Sequence, residues 1–387
     1  MKSLAACQLG VLLLAVVTLS GPQSTRDGEW LTLAPMPTAR QEISIAVLGG
    51  KIYVIAGFDI NHKSTNTVEV YDPKSDSWSS AAPLPIVTNH NAAAVADGTL
   101  YSFGGTSNRV FAYNRRDDSW SEVASMRFQH GNTPAVAVIE NRIYVAGGTG
   151  PGMTGNEVEV YSASANTWTS VASMSVPRNH CAGGAINGKF YVVAGRGNPM
   201  APSAFEVYDP QTNTWTPLTL LPTPRSGIAV GVLNQELYVF GGEQPGVFGD
   251  VEVYNPTTNA WRHVSSMPTP RHGISAAVVD NSIYIPGGAT QQGFGATNIN
   301  EAFRLHPIIT GATISGKRLI IEGKNFDEGA AILLSGERQK TANDQSNPNT
   351  MLISKKAGKK ISPGQAVTLQ VQNSDGTLSA KFRFTRP

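Results

Sequence analysis

The chain is written in short apolar runs broken by glycine, proline and asparagine, and the runs come in sets of four. At 44–50 the sequence is "SIAVLGG", answered at once by "KIYVIAG" at 51–57. "TVEVYDP" follows a variable loop at 67–73, and a tryptophan-led segment, "SWSSAAPLP", closes the set at 77–85. Runs this short, rich in Val, Ile and Tyr and bounded by turn residues, predict four consecutive strands joined as hairpins.

The set repeats. "IYVIAG…VEVYDPKSDSW" (52–78) returns as "LYSFGG…VFAYNRRDDSW" (100–120), "IYVAGG…VEVYSASANTW" (143–168), "FYVVAG…FEVYDPQTNTW" (190–215) and "LYVFGG…VEVYNPTTNAW" (237–261). The tryptophans Trp78, Trp120, Trp168, Trp215 and Trp261 stand 42 to 48 residues apart, the period of a four-stranded propeller blade. The glycine pair ending each second strand, as at Gly104-Gly105 or Gly241-Gly242, suits a turn that a Cβ would obstruct. The turn before each tryptophan lets the indole pack across to a neighbouring unit. A sixth copy, "ISAAVVDNSIYIPGG" with "NEAFRL", has three strands and no tryptophan segment. "GEWLTLAPMPTAR" (28–40) is a fourth strand without the first three. Pairing the two ends closes a ring and protects sheet edges.

These units are kelch motifs, and the chain resembles the kelch β-propeller family over 27–306. After "LHP", period-two runs such as "LIIEGKNF" and "VTLQVQNSDGTLSAKFRF" resemble the IPT/TIG family of immunoglobulin-like modules over 307–387. The expected fold is all-β: a six-bladed kelch propeller closed by an N-terminal strand, followed by an immunoglobulin-like β-sandwich.

Composition agrees with many short strands: 39 glycines, 24 prolines and only 15% charged residues among 387. Residues 1–20, with Lys2, an apolar stretch from Leu9 to Leu19 and the small Thr18 and Ser20, read as a secretory signal peptide. The apolar stretch falls short of the roughly 18 residues that span a bilayer. The expectation is a secreted or periplasmic chain without a transmembrane segment. Of the two cysteines, Cys7 lies in this leader, so Cys181 has no disulfide partner. Charge is uneven: 307–387 holds 12 Lys and Arg against 6 Asp and Glu, while 3–306 holds 17 against 22. The basic run Lys355, Lys356, Lys359 and Lys360 could touch an anionic surface. No aromatic interleaving supports nucleic-acid binding.

A kelch propeller followed by an immunoglobulin-like domain also resembles galactose oxidase and its copper-radical relatives. In that family a cysteine on one blade is cross-linked to a copper-binding tyrosine of the next. Cys181 stands on the corresponding strand, but Gly227 stands where the tyrosine belongs, and 307–387 contains no histidine. The resemblance therefore implies no copper-radical centre here, and Cys181 reads as a buried apolar residue.

Aligned repeats place Arg40, Thr88, His130, Arg178, Arg225 and Arg271 just before the first strands. In the kelch family, ligands sit on the face where these positions gather. The resemblance thus nominates Arg40, Gln41, Asn89, His90, His130, Arg178, Asn179, His180, Arg225, Ser226, Arg271 and His272 as ligand-binding residues. Arginine forks would suit a carboxylate, sulfate, phosphate or sugar, while entry arginines in kelch blades also often tie neighbouring loops together by hydrogen bonds. No metal or other cofactor is expected, because different blades should hold the histidines apart and no paired spacing is present. The function these features suggest is recognition of a glycan or peptide at the propeller mouth, with catalytic residues unidentified. The alternative is a carbohydrate-active enzyme resembling the kelch epimerases of sialic acid, with Glu42 and Glu243 as acid-base groups.

Overall fold

The computed structural model describes residues 28–197 and 200–387. The signal-peptide reading of 1–20 lies outside the described residues. Alternation of apolar and polar side chains lets each short strand bury one or both faces, and the repeats accordingly form four-stranded antiparallel sheets. In the first sheet, Ser44–Leu48 pairs with Lys51–Ile55, then Val68–Asp72, then Ser77–Ala81. The register sets Ile52 opposite Tyr71 and Tyr71 opposite Trp78. Four further sheets repeat this order. The sixth combines both ends of the repeat region, with Gly28–Thr32 pairing to Asn300–Leu305 and Trp30 opposite Phe303.

The six innermost strands begin at Ser44, Asn91, Ala135, Ala182, Ala229 and Ala277, and each contacts the next, the last returning to the first. Small residues line the space they enclose, among them Ala46, Ala94, Ala137, Gly183, Gly184 and Gly231, leaving an axial channel of about 510 Å³. Gly184 is small of necessity, since a Cβ there would lie 2.5 Å from a methyl of Val232 on the adjacent sheet. Separate apolar cores fill the spaces between neighbouring sheets.

The outer strands are stapled from sheet to sheet. The Trp78 indole donates to Ala34 O at 2.8 Å, while Asp76 accepts from both Ala34 N and the Tyr71 hydroxyl. Trp120 with Asp118, and Trp168 with Asn166, repeat the arrangement. This explains the spacing of Tyr, Asp or Asn, and Trp along each repeat: one turn residue with φ near +50° serves two sheets.

Residues 308–385 form two further four-stranded sheets around one core containing Leu319, Ile321, Phe326, Ile332, Leu369 and Val371. They adjoin the ring through Asn234 to Asn325, at 2.8 Å, and Arg304 with Asp375, at 3.6 Å.

Candidate functional site

At one end of the channel the backbone draws into a closed hydrogen-bonded circuit. Glu42 N donates to Gly273 O, Gly273 N to Gly227 O, Gly227 N to His180 O, and His180 N to Asn132 O. Thr133 N then donates to His90 O and His90 N to Glu42 O, all six bonds lying between 2.7 and 3.2 Å. Every residue in the circuit has positive φ, from +48° at His180 to +65° at Gly227. Non-glycine residues avoid that region unless their surroundings hold them there. Here the circuit holds Glu42, His90 and His180 on the axis, where their side chains converge.

The convergent groups form one network. His90 Nε2 lies 3.4 Å from Glu42 Oε2, and the His90 and His180 rings meet edge to face with centroids 5.0 Å apart. The amide oxygens of Asn89 and Asn179 sit 2.5 and 2.6 Å from Nδ1 of His90 and His180. Asn89 Nδ2 donates to Ser64 Oγ, which fixes its oxygen towards the imidazole. Since an amide oxygen only accepts, Nδ1 carries the proton in both rings, and in His180, which accepts from a guanidinium, Nε2 keeps its lone pair. Arg196 donates to that lone pair of His180 at 2.8 Å and pairs with Glu243 at 2.9 Å. Burial, reinforced by His90, Arg196 and His272, holds the His180 pKa well below the usual imidazole value, so His180 is neutral.

His272 completes the cluster. Its Nε2 donates to Gln291 O at 2.8 Å, while Nδ1 is buried without a hydrogen bond. That nitrogen lies 3.6 Å from Glu243 Oε2 and 3.9 Å from Glu42 Oε1. Beside it, Gln41 brackets the loop at 293–295, donating to Gly293 O and accepting from Gly295 N. The loop presents Phe294, which is 45% exposed, packs on Phe58 and stacks on His62.

A family model described as the KLHDC2/KLHL20/DRC7 Kelch-repeats domain matches residues 24–177 and 91–288. The chain belongs to the kelch-repeat family. Its relatives include Kelch-like protein 35 of Mus musculus, 30% identical over 31% of this chain and 21% of that protein. Another is Kelch-like protein terF of Aspergillus terreus, 27% identical over 47% of this chain and 46% of that one. These matches span less than half the length of either relative. Among solved structures, that of YjhT aligns with a TM-score of 0.60 at 16% identity, covering 69% of this chain and 96% of that chain, a likeness of fold.

Within this kelch fold the nominated arginines are drawn inside their sheets. Arg40, Arg178, Arg225 and Arg271 are at most 1% exposed, and each is paired with a carboxylate on the third strand of its own sheet: Glu69, Glu206, Glu252 and Glu301. Arg271 also donates to Ile285 O and Gly287 O, and Arg40 to Ala56 O. These contacts tie the arginines into their own sheets, although Nε and Nη1 of Arg178 keep no hydrogen-bond partner. His130 is likewise buried, between Gly147 O at 2.6 Å and Glu159 at 3.2 Å, standing where the other sheets have arginine. Ser226 is buried, bridged through its backbone to Glu243. The expectation that different sheets hold the histidines apart is corrected by His90 and His180, because the circuit bonds the sheets directly to one another at these residues. Arg196 and Phe294 were not nominated. Their signals are positional: Arg196 directly follows Ala194-Gly195 at the end of a second strand, and Phe294 is an aromatic between two glycines in the corresponding loop of the sixth sheet.

Proposed function

We propose that this kelch-repeat protein is an exported binding protein whose ring mouth recognises a polar ligand, a glycan or a peptide. In this reading the six sheets are blades of a propeller closed by the N-terminal strand. Residues 307–387 form an IPT/TIG-like immunoglobulin module that serves as spacer or adhesive partner, its lysine run offering contact with an anionic surface. The supporting observation is the convergence of Glu42, His90, His180, Arg196, Glu243 and His272 beside the exposed ring of Phe294. Polar groups of fixed orientation next to an apolar face are the usual form of a recognition site. With the four buried arginines committed to the fold, the charged side chains in the cluster are Glu42, Glu243 and Arg196. That balance favours a neutral hydroxyl-rich or amine-bearing ligand over the anions that free arginine forks would select.

The second reading, a carbohydrate-active enzyme resembling the sialic-acid epimerases and distinct from copper-radical oxidases, is favoured by one observation. Glu243, bonded to Arg196 and to Gly293 N, lies beside His272, a pair suited to proton transfer. A glycan and peptide array probed with the intact protein, with every hit then incubated to detect turnover, separates the two. Hits should weaken on Phe294→Ala and His90→Asn. Hits indifferent to both substitutions would move recognition away from the mouth, and a chemically altered hit would establish the enzyme.

A further inference from the structure

We propose that Glu42, His90 and His180 form a binding site for a divalent transition-metal ion of the zinc type on the axis of the ring. The site goes beyond recognition of a glycan or peptide and does not depend on it.

Three features of the cluster carry the assignment. One ligand atom from each of the three side chains falls within 4.8 Å of the others. His90 Nε2 and Glu42 Oε2 already stand 3.4 Å apart, about the separation of two ligand atoms bound at roughly 2.1 Å to a tetrahedral ion. Two imidazoles and one carboxylate are a donor set suited to zinc and its neighbours.

The outer partners fit as well. Metal-bound imidazoles characteristically donate their second N–H to an oxygen acceptor, which fixes the tautomer and turns the lone pair inward. Asn89 and Asn179 do this for His90 and His180, and each sits one residue before the histidine it orients.

The third feature is independent of the donor set. His272 Nδ1 is buried, unbonded and faces Glu42 and Glu243. Its Nε2 donates to Gln291 O, so Nδ1 is left as a buried, unpartnered nitrogen aimed between the two carboxylates. Arg196 is the cation now adjoining the cluster, and its bond to His180 Nε2 uses the lone pair an ion would need. Its side chain is 26% exposed and keeps Glu243 as a partner, so the guanidinium can release His180 without being left unpaired.

The test is titration of the intact, metal-stripped protein with Zn²⁺ and with Co²⁺, following heat and the visible absorption of bound cobalt. One equivalent should bind, with a cobalt spectrum showing nitrogen ligation. His90→Asn and His180→Asn should each abolish it; asparagine tolerates the positive φ of these positions, and a melting curve verifies folding. Asn179→Ala, acting through the orientation of His180, should weaken affinity about 10- to 100-fold. Arg196→Ala should tighten it. Failure of both wild type and Arg196→Ala to bind either ion stoichiometrically would overturn the proposal. So would full retention of the ion by the folded double histidine variant. Neither result bears on array hits, so the metal site and the recognition reading fail separately.

Discussion

Arg225 and Glu252 form an ion pair with neither side chain exposed to solvent, one just before the first strand of the fifth sheet and the other on its third. Removing one member of such a pair strands a buried charge, which typically costs about 3–5 kcal/mol. Arg225→Ala should therefore lower unfolding free energy by about that amount in urea denaturation. The second sheet shows how the pair can be dispensed with: it has Thr88 in place of the arginine and Phe111 in place of the glutamate. The double variant Arg225→Thr/Glu252→Phe should accordingly be more stable than Arg225→Ala. A double variant at least as unstable as the single one would mean that the pair is held by more than mutual neutralisation.

Ring closure rests on the strand Gly28–Thr32, where Trp30 packs on Phe303 and Phe240 with centroids 5.3 and 5.9 Å away and donates to Ser265 O. Trp30 thus joins the sixth sheet to the outermost strand segment of the fifth. Trp30→Ala should cost about 3 kcal/mol, the lower end for loss of a large aromatic, since this indole is only half-buried. Deleting 28–36 should lower the melting temperature further. An unchanged melting temperature after the deletion would show that the ring does not depend on this strand.

Strand order and the repeat were legible because each unit must hide an alternating pattern, and alternation survives wide changes of sequence. Gly, Tyr and Trp positions announced turns and staples for the same reason. The mouth was only half legible. His90, His180 and His272 stood at aligned positions, but their convergence depends on the backbone circuit, which leaves no compositional trace beyond small or turn-tolerant residues at Gly227, Gly273 and Asn132. Repetition alone left the arginines open to two readings, a shared surface or ties within each sheet. The signal for their pairing was a covariation inside the chain: Arg appears with Glu four times, His130 with Glu159, and Thr88 with Phe111.

His180 makes stability depend on pH. Burial and its cationic neighbour Arg196 depress its pKa in the folded protein, while an unfolded histidine titrates near pH 6.5. Below about pH 6.5 the unfolded chain takes up a proton that the folded chain refuses, so this contribution is complete above that pH and is lost as pH falls towards the folded pKa. The groups facing His180 are Arg196, His90 and His272, with Glu42 beyond His90. Urea denaturation at about pH 7.5 and about pH 5.5, on either side of the unfolded value, should show a smaller loss for His180→Asn than for wild type. An equal loss would assign the acid sensitivity to other groups.

Cys181 is wall material by every physical measure. It is wholly buried against Met174, Phe190 and Val192, beside the axial channel, and desolvation pushes its thiol pKa up, with Arg178 only partly opposing. A thiol that is both protonated and enclosed is a poor nucleophile. In a chain whose Cys7 is replaced by Ser, an aromatic disulfide reagent should therefore leave the native protein unlabelled and modify one thiol after denaturation. Labelling under native conditions then reports opening of the ring, so Trp30→Ala, which loosens the closing sheet, should accelerate it in proportion to its loss of stability. Rapid stoichiometric labelling of the wild-type ring would instead mean that the channel admits solvent to Cys181, and would reopen the thiol as a functional group.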